Sequence, residues 1–457
     1  MGQPHLGRFG DARLQCVGGA LLAAMLKKRT MCVHALAKGR SQSRQFQRFL
    51  DNDAVSIREM LVHAGRLTGA RVSGRHVLAI SDMSEMNFAA HAGRKRGFGT
   101  VGNGTDIGVF LHPVIAVDAD QGGLIGLVGA EVMNRTGGKV TDHKQRGADD
   151  KESRRWLAGA ETAGTMLADA AMITVVEDRE GDIYDQFARR PPSVHLLVRA
   201  AQDRTLATKQ PLFAHCAAWL EQARYPVVVP PQAGQSGRTA MVALRFGEVV
   251  LKRPDVAGTA LPATLTLRVV DVAEIDPANP KERVHWCLLT THTVQTQEDA
   301  RRIVGWYQMR WIIEQVFRTL KSAGVEVESS QITRPANLLK LTVVALIAAV
   351  RVMQLVLARD GSTGQSLSDA AEPADVPALQ AINATLEGRT EKLKNPFDVT
   401  SLAWLAWIAA RLGGWSGYTS RGYRPAGPKT IARGLKLLDP MVAAWKLANR
   451  SALLGLP

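Results

Sequence analysis

The stretch Tyr307-Gln-Met-Arg310-Trp-Ile-Ile-Glu314-Gln-Val-Phe-Arg318-Thr-Leu-Lys321 limits the fold more than any other, because its pattern is satisfied only by a helix lying on a core. At about 100° per residue, Tyr307, Arg310, Glu314, Arg318 and Lys321 share an arc of roughly 80°. Met309, Ile312, Ile313, Val316, Phe317 and Leu320 fill a neighbouring sector that faces the interior. Solvated helix faces usually mix their charges in i,i+4 pairs. Here one carboxylate stands among three cations and a tyrosine, which suits an acid that binds a metal beside bases that bind phosphate. Taken alone, the same face also fits an ordinary exposed surface.

Upstream, His76–Asp82 and Ala171–Asp178 are apolar runs that each end in an aspartate, as buried strands do when they emerge at a sheet edge. Val109–Val117, Gly123–Val132 and His195–Arg199 are further strands, with helices expected over Glu152–Ala171 and Ile183–Arg189. Strands alternating with helices predict a mixed α/β sheet with helices packed on it. Residues 1–72 carry helical periodicity over Ala12–Arg29, Arg44–Leu50 and Ser56–Leu67, with Asp53 or Ser56 as cap and Glu59 closing a box from Ser56. From 203 to 292, Tyr225–Val229, Thr239–Arg245, Thr264–Val272 and Val284–Thr290 are β-branched runs between Pro/Gly turns, which predicts an all-β insertion. The organising helix is expected to start near Thr296 and to end before Gly324. Leu338–Leu357, Thr400–Leu412 and Lys429–Leu447 follow as helices, with Asp360–Pro377 as a linker. Trp404, Trp407, Trp415 and Trp445 have the look of packing residues. The divisions are therefore 1–72, 73–202, 203–292, 293–358 and 359–457.

Charge narrows the partners. The chain carries 57 Lys and Arg against 42 acids, a net +15, which favours polyanions, with nucleic acid first. The first 50 residues hold nine of those bases and only Asp11 as an acid, so a small basic helical bundle there suits DNA. Four cysteines, far apart, indicate neither a disulfide framework nor a zinc ribbon. No signal-peptide pattern is present, and the apolar run Leu341–Ala358 contains Arg351 and Gln354, so it reads as a buried helix. A soluble cytoplasmic protein with no membrane partner is expected. The basic loop Gly93-Arg-Lys-Arg-Gly97 lacks the ending of a nucleotide-phosphate loop.

Asp82, Asp178 and Glu314 share one logic. If the two strands are neighbours and the helix crosses them, three carboxylates converge and repel one another. Two divalent cations, Mg²⁺ or Mn²⁺, resolve that repulsion and serve in-line displacement at a phosphodiester. With 42 acids in the chain, pattern alone does not single out these three.

The spacing of Tyr307, Arg310, Glu314 and Lys321 resembles the Y-R-E-K block of DDE transposases of the bacterial insertion-sequence type, in particular the hairpin-forming, cut-and-paste kind. Asp178-Arg179-Glu180-Gly181-Asp182 is similar to the family's segment after its second acidic strand, and Lys151-Glu152-Ser153 with Trp156-Leu157 to the helix start before it. Phe9-Gly10-Asp11-Ala12-Arg13, Arg48-Phe49-Leu50-Asp51-Asn52 and Ala409-Ala410-Arg411-Leu412-Gly413-Gly414 resemble terminal landmarks. Met83-Ser84 stands where the family typically shows Thr-Thr, and the chain ahead of Gly10 is short.

The resemblance implies an RNase H-like mixed sheet with flanking helices, an inserted all-β subdomain, a helical DNA-binding N-terminal domain and a helical C-terminal dimerisation domain. It implies Asp82, Asp178 and Glu314 as ligands for two Mg²⁺, with Mn²⁺ able to substitute. Arg199, Tyr307, Arg310 and Lys321 would hold DNA-end phosphates and a hairpin, and Arg318 another phosphate. Trp286 would stack on a flipped base, with a strand-core role as its alternative; a structural ion pair is the alternative for Arg199. The implied partners are terminal inverted repeats, target DNA and a second copy of the chain on the DNA, at the nucleoid. The competing reading is a catalytically idle DNA-binding inhibitor or decayed copy of such an enzyme.

Overall fold

The computed structural model describes residues 5–449 except 29, 103, 136–153, 230–236, 256, 258, 278, 324–325 and 418–424. Four helices come first: α1 (Ala12–Lys28), α2 (Val33–Leu36), α3 (Arg40–Asp51) and α4 (Ile57–Gly69). Strands β1 (His76–Ser81), β2 (Ser84–Asn87), β3 (Gly99–Val101), β4 (Asp106–Asp118) and β5 (Leu124–Met133) follow. Next are α5 (Arg154–Met166), β6 (Met172–Glu177), α6 (Tyr184–Arg189), β7 (Val194–Arg199) and α7 (Leu212–Ala217). Then come β8 (Ala223–Val229), β9 (Arg238–Lys252), β10 (Thr264–Glu274) and β11 (His285–Thr290). The chain closes with α8 (Gln297–Met309), α9 (Trp311–Arg318), α10 (Pro335–Ala358), α11 (Val376–Leu386), α12 (Leu402–Leu412) and α13 (Pro428–Ala448). The mixed α/β class expected from the sequence is the one observed. The Lys151-Glu152-Ser153 segment lies outside the described residues.

All eleven strands join one mixed sheet. At its centre β5, β4, β1, β6 and β7 lie side by side, the first two pairings antiparallel and the next two parallel. The β-rich insertion is not a separate sheet: β11 pairs with β7, and β10, β9 and β8 prolong the same surface. Within it, β9 runs on past Arg245 to Lys252, and Trp219 packs against it at Gly247, where a Cβ would lie 2.9 Å from the indole.

Period-two alternation divides the core between the two faces of the sheet. Leu78 and Ile80 of β1, Val176 of β6, Leu197 of β7 and Leu288 of β11 join the layer that also holds residues of α8, α9, α10, α12 and α13. Val77 and Ala79, Ile173 and Val175, Leu196 and Val198, Cys287 and Leu289 join the opposite layer, with residues of α5, α6 and α7. Among the described residues α10 is the helix long and apolar enough to cross a membrane, yet most of it is buried against β5 and against α1, α12 and α13. Helices α12 and α13 cross through glycines: a Cβ on Gly434 would lie 1.7 Å from the Ala409 carbonyl oxygen.

The N-terminal helices are fastened by α10. Lys340 Nζ donates to the carbonyls of Leu50 and Asn52 (2.8 and 2.9 Å), and Asn337 and Arg334 both reach Asp51 (2.7 and 3.2 Å). Ser56, not Asp53, caps α4 by accepting the Glu59 N–H at 3.1 Å. The expected capping box does not close, because the Glu59 carboxylate turns away to accept the Arg8 N–H at 2.7 Å. The segment 360–377 is no free linker either. Its Asp369 is buried in an ion pair with Arg75 (2.9 Å), and Gln354 donates to the Asp369 carbonyl at 2.8 Å, which pins the segment to the entry of β1.

At the start of β1 and β7, three histidines gather on the α8 side of the sheet. His76 and His292 both bond the Thr174 hydroxyl (2.8 and 2.7 Å), His195 stacks on His292 at 4.1 Å, and Trp306 covers His76 at 4.5 Å. Burial, reinforced by the neighbouring histidines, pushes His292 down to about 3. The ordinary value is about 6.5, so the neutral ring contributes stability above that pH which is lost as pH falls toward 3. Denaturant titrations are expected to show a loss approaching ~1.4 kcal/mol per pH unit in this window, and His292→Gln to flatten it.

Candidate active site

The last ladder pair of β1 and β6 is Ile80 opposite Val176, in parallel register. Two residues further along, that register sets Asp82 beside Asp178 at the C-terminal ends of the strands, where open α/β sheets form their crevices. Both aspartates have the parity of Ile80 and Val176, so both leave the strands on the face covered by α8 and α9. Asp82 is held twice: its Oδ1 accepts the Met83 N–H at 2.8 Å and its Oδ2 accepts from Arg310 at 2.6 Å. Asp178 caps the tight turn Arg179–Gly181 by accepting the Glu180 N–H at 2.8 Å.

The organising helix is present but broken at one point. α8 ends at Met309, α9 starts at Trp311, and between them the helix tightens: Arg310 N–H donates to Tyr307 and Ile313 N–H to Arg310, each across three residues at 3.1 Å. A short tightening of this kind reorients one turn of a helix. It directs the Arg310 guanidinium onto both Asp82 and Glu314, whose Oε1 accepts at 2.7 Å. A single guanidinium thus bridges the first and third acids. Beyond Arg318 the helix widens into a π-type turn, Thr319–Ala323, that carries Lys321. Arg318 is exposed and Lys321 half-buried, further along the helix than Glu314.

Burial pushes the Asp82 carboxyl up to about 7; Arg310 opposes the shift, while Asp178 and Glu314 add to it. Asp82 therefore feels both other acids through space, and a positive charge beside it favours its ionised form. Burial works against the charge of Arg310 as well, but Asp82, Tyr307 and Glu314 hold it above its ordinary value. Carboxylate oxygens are hard donors of the kind Mg²⁺ and Mn²⁺ take. However, no three His, Cys, Asp or Glu side chains among the described residues are gathered as an ion site. The donor types suit a divalent ion chemically, while in this arrangement Arg310 occupies Asp82 Oδ2 and Glu314 Oε1.

The other expected residues flank this centre on the same face. Tyr307 is buried, its ring 5.7 Å from that of Trp286, which is packed against the core. Arg199 donates to the His285 carbonyl at 2.6 Å, and its charge is felt by Tyr307, as is that of Arg310. Lys95 of the basic loop is buried rather than displayed. It donates to the carbonyls of Ser330 and Ile332 (2.8 and 2.7 Å) over the ring of Phe88, and burial lowers it to about 8. Its role is to tie this loop to the segment after the glutamate helix.

Glu177 escaped the sequence reading. It is fully buried on the opposite face, where its carboxyl accepts from Gln186 at 2.7 Å and from Ser81 at 3.2 Å, and burial raises it to about 8. The available signal was an acid within the strand pattern itself, directly after the run Ile173–Val176 and one residue before Asp178.

Residues 89–351, more than half of the chain, match the family model described as Transposase DDE domain. The matched span contains Asp178 and Glu314 and begins beyond Asp82.

Proposed function

The chain belongs to the transposase DDE-domain family, and we propose that it is a metal-dependent cut-and-paste DNA transposase with Asp82, Asp178 and Glu314 as its catalytic acids. One observation carries the reading of the site: Arg310 joins Asp82 to Glu314 on the sheet face where Asp178 also emerges. The run β5–β4–β1–β6–β7, two antiparallel pairings followed by two parallel ones, supports an RNase H-like core.

The three acids would hold two Mg²⁺ or Mn²⁺, which when bound supply activation of the attacking oxygen and stabilisation of the leaving one. Arg310, once it leaves the carboxylates, is placed to take a DNA phosphate, and Arg199, Arg318 and Lys321 extend that contact along the backbone. Trp286, with Tyr307 against its ring, offers an aromatic face to a displaced base at the DNA end. The reaction order would be hydrolysis at the end, attack of the freed 3′-hydroxyl on the opposite strand to form a hairpin, opening by water, and joining to target DNA. Residues 1–72 would recognise the terminal inverted repeats. Residues 203–292 would carry Trp286 as an insertion between the two parts of the core, 73–202 and 293–358. Residues 359–457 would pair two copies on the DNA.

The test is incubation of the protein with Mg²⁺ or Mn²⁺ and DNA from either side of its gene, with Asp178→Asn alongside. Metal-dependent hairpin-ended fragments from the native chain, absent with Asp178→Asn, are the expected result. End binding with no cleavage by the native chain would instead identify an idle DNA-binding form.

A further inference from the structure

The direct β1–β6 ladder stops at Ile80 and Val176, two residues before Asp82 and Asp178, although Ser81 still pairs with Val114 of β4 and Glu177 with Val198 of β7. Beyond Ile80 and Val176 no ladder pair joins β1 to β6, so a direct tie between these two ends has to come from side chains. The tie lies on the reverse face, one residue before each aspartate. Ser81 and Glu177 are neighbours by the same register, both with no exposed surface, and the Ser81 hydroxyl meets Glu177 Oε1 at 3.2 Å. The second carboxyl oxygen accepts from Gln186 Nε2 at 2.7 Å, which extends the tie to α6. Gly181 completes the arrangement. A Cβ at that position would lie 2.2 Å from Glu177 Oε2, so only glycine lets the turn that follows Asp178 fold down over the buried carboxyl.

We propose that Glu177 is a positioning residue for the two aspartates, setting their separation through Ser81 and the path of the chain after Asp178 through Gln186. It touches neither DNA nor the reacting atoms. The inference rests on Asp82 and Asp178 being the catalytic pair. It goes beyond that assignment by naming what fixes their spacing from behind the sheet. Groups that orient metal ligands at one remove typically change metal affinity or activity by about 10- to 100-fold when removed.

The experiment compares Glu177→Leu, Ser81→Ala and Glu177→Gln with the native chain, each bound to end DNA. Mn²⁺ binding to the complex is read by electron paramagnetic resonance, and the Mg²⁺ concentration for half-maximal single-turnover cleavage is read in parallel. Leucine fills the space but offers no hydrogen bond, whereas glutamine can accept from Gln186 and donate to Ser81. Glu177→Leu and Ser81→Ala are expected to weaken Mn²⁺ binding by about 10-fold or more and to raise the Mg²⁺ requirement to match, with DNA binding unchanged. Glu177→Gln is expected to stay within about threefold of native, half a logarithmic unit or less. Ser81→Ala supplies the answer if Glu177→Leu does not fold. Variants that melt earlier yet bind Mn²⁺ as the native chain does would reduce Glu177 to a packing role and overturn the proposal. A native complex that binds Mn²⁺ but does not cleave would count against the transposase reading alone, and one that binds no Mn²⁺ would overturn both.

Discussion

Glu314→Gln is expected to lower single-turnover DNA cleavage by at least about 10²- to 10³-fold, the scale set by losing one preorganised electrostatic contact in an active site. Glutamine has the size of glutamate and keeps a carbonyl oxygen to accept from Arg310, which now donates to Glu314 at 2.7 Å. The helix, its tightened turn and the DNA-binding surface should therefore survive, and only the charge that would hold a divalent ion is lost. Cleavage in Mg²⁺ measures the loss, and a gel shift on the same DNA controls for binding. Full activity in the variant would remove Glu314 from the chemistry.

The largest effect on stability is expected at Asp182. Its carboxylate is buried, accepts from Arg204 Nε and Ala201 N–H at 2.8 Å and from Gln202 N–H at 3.2 Å, and Arg204 is itself buried. Together these bonds lash the turn after Asp178 to the chain leaving β7, just past Arg199. Asp182→Ala leaves a guanidinium in the interior without its counter-charge, a change that typically costs about 3–5 kcal/mol. Urea unfolding at neutral pH measures it. A loss under about 1 kcal/mol, the range of an exposed pair, would mean that water reaches Arg204.

Part of this arrangement was legible in the sequence. Apolar runs that stop at an aspartate foretold β1 and β6, but that Asp82, Asp178, Arg199 and Trp286 leave on one face followed only from the pairing of β1, β6, β7 and β11. Other features depended on contacts that no local pattern contains. A helical wheel assumes a constant turn, so the tightening at Arg310 that aims one guanidinium at two acids was invisible. Turn-rich composition suggested a linker near 360–377, because the partners that bury Asp369 lie at Arg75 and Gln354. The pairing of β11 with β7 that merges the insertion into the central sheet is a long-range choice as well. Glu177 looked like one acid among many until Ser81 and Gln186 were found around it.

The fastening of the N-terminal helices to α10 also sets an order of events during synthesis. Domains form from the N-terminal end as a chain is made. Here α1 leaves the ribosome before most of the chain, but two of the helices it packs on, α10 and α13, come after residues 82, 178 and 314. The acids at 82, 178 and 314 are likewise far apart in sequence, and the last of them arrives shortly before α10. A chain interrupted between residues 179 and 309 would hold the basic leading helices and both aspartates without Arg310 or the glutamate. On the roles proposed for the three acids, such an unfinished copy would be unarmed, and the third acid would arrive only shortly before the helix that clasps the leading ones.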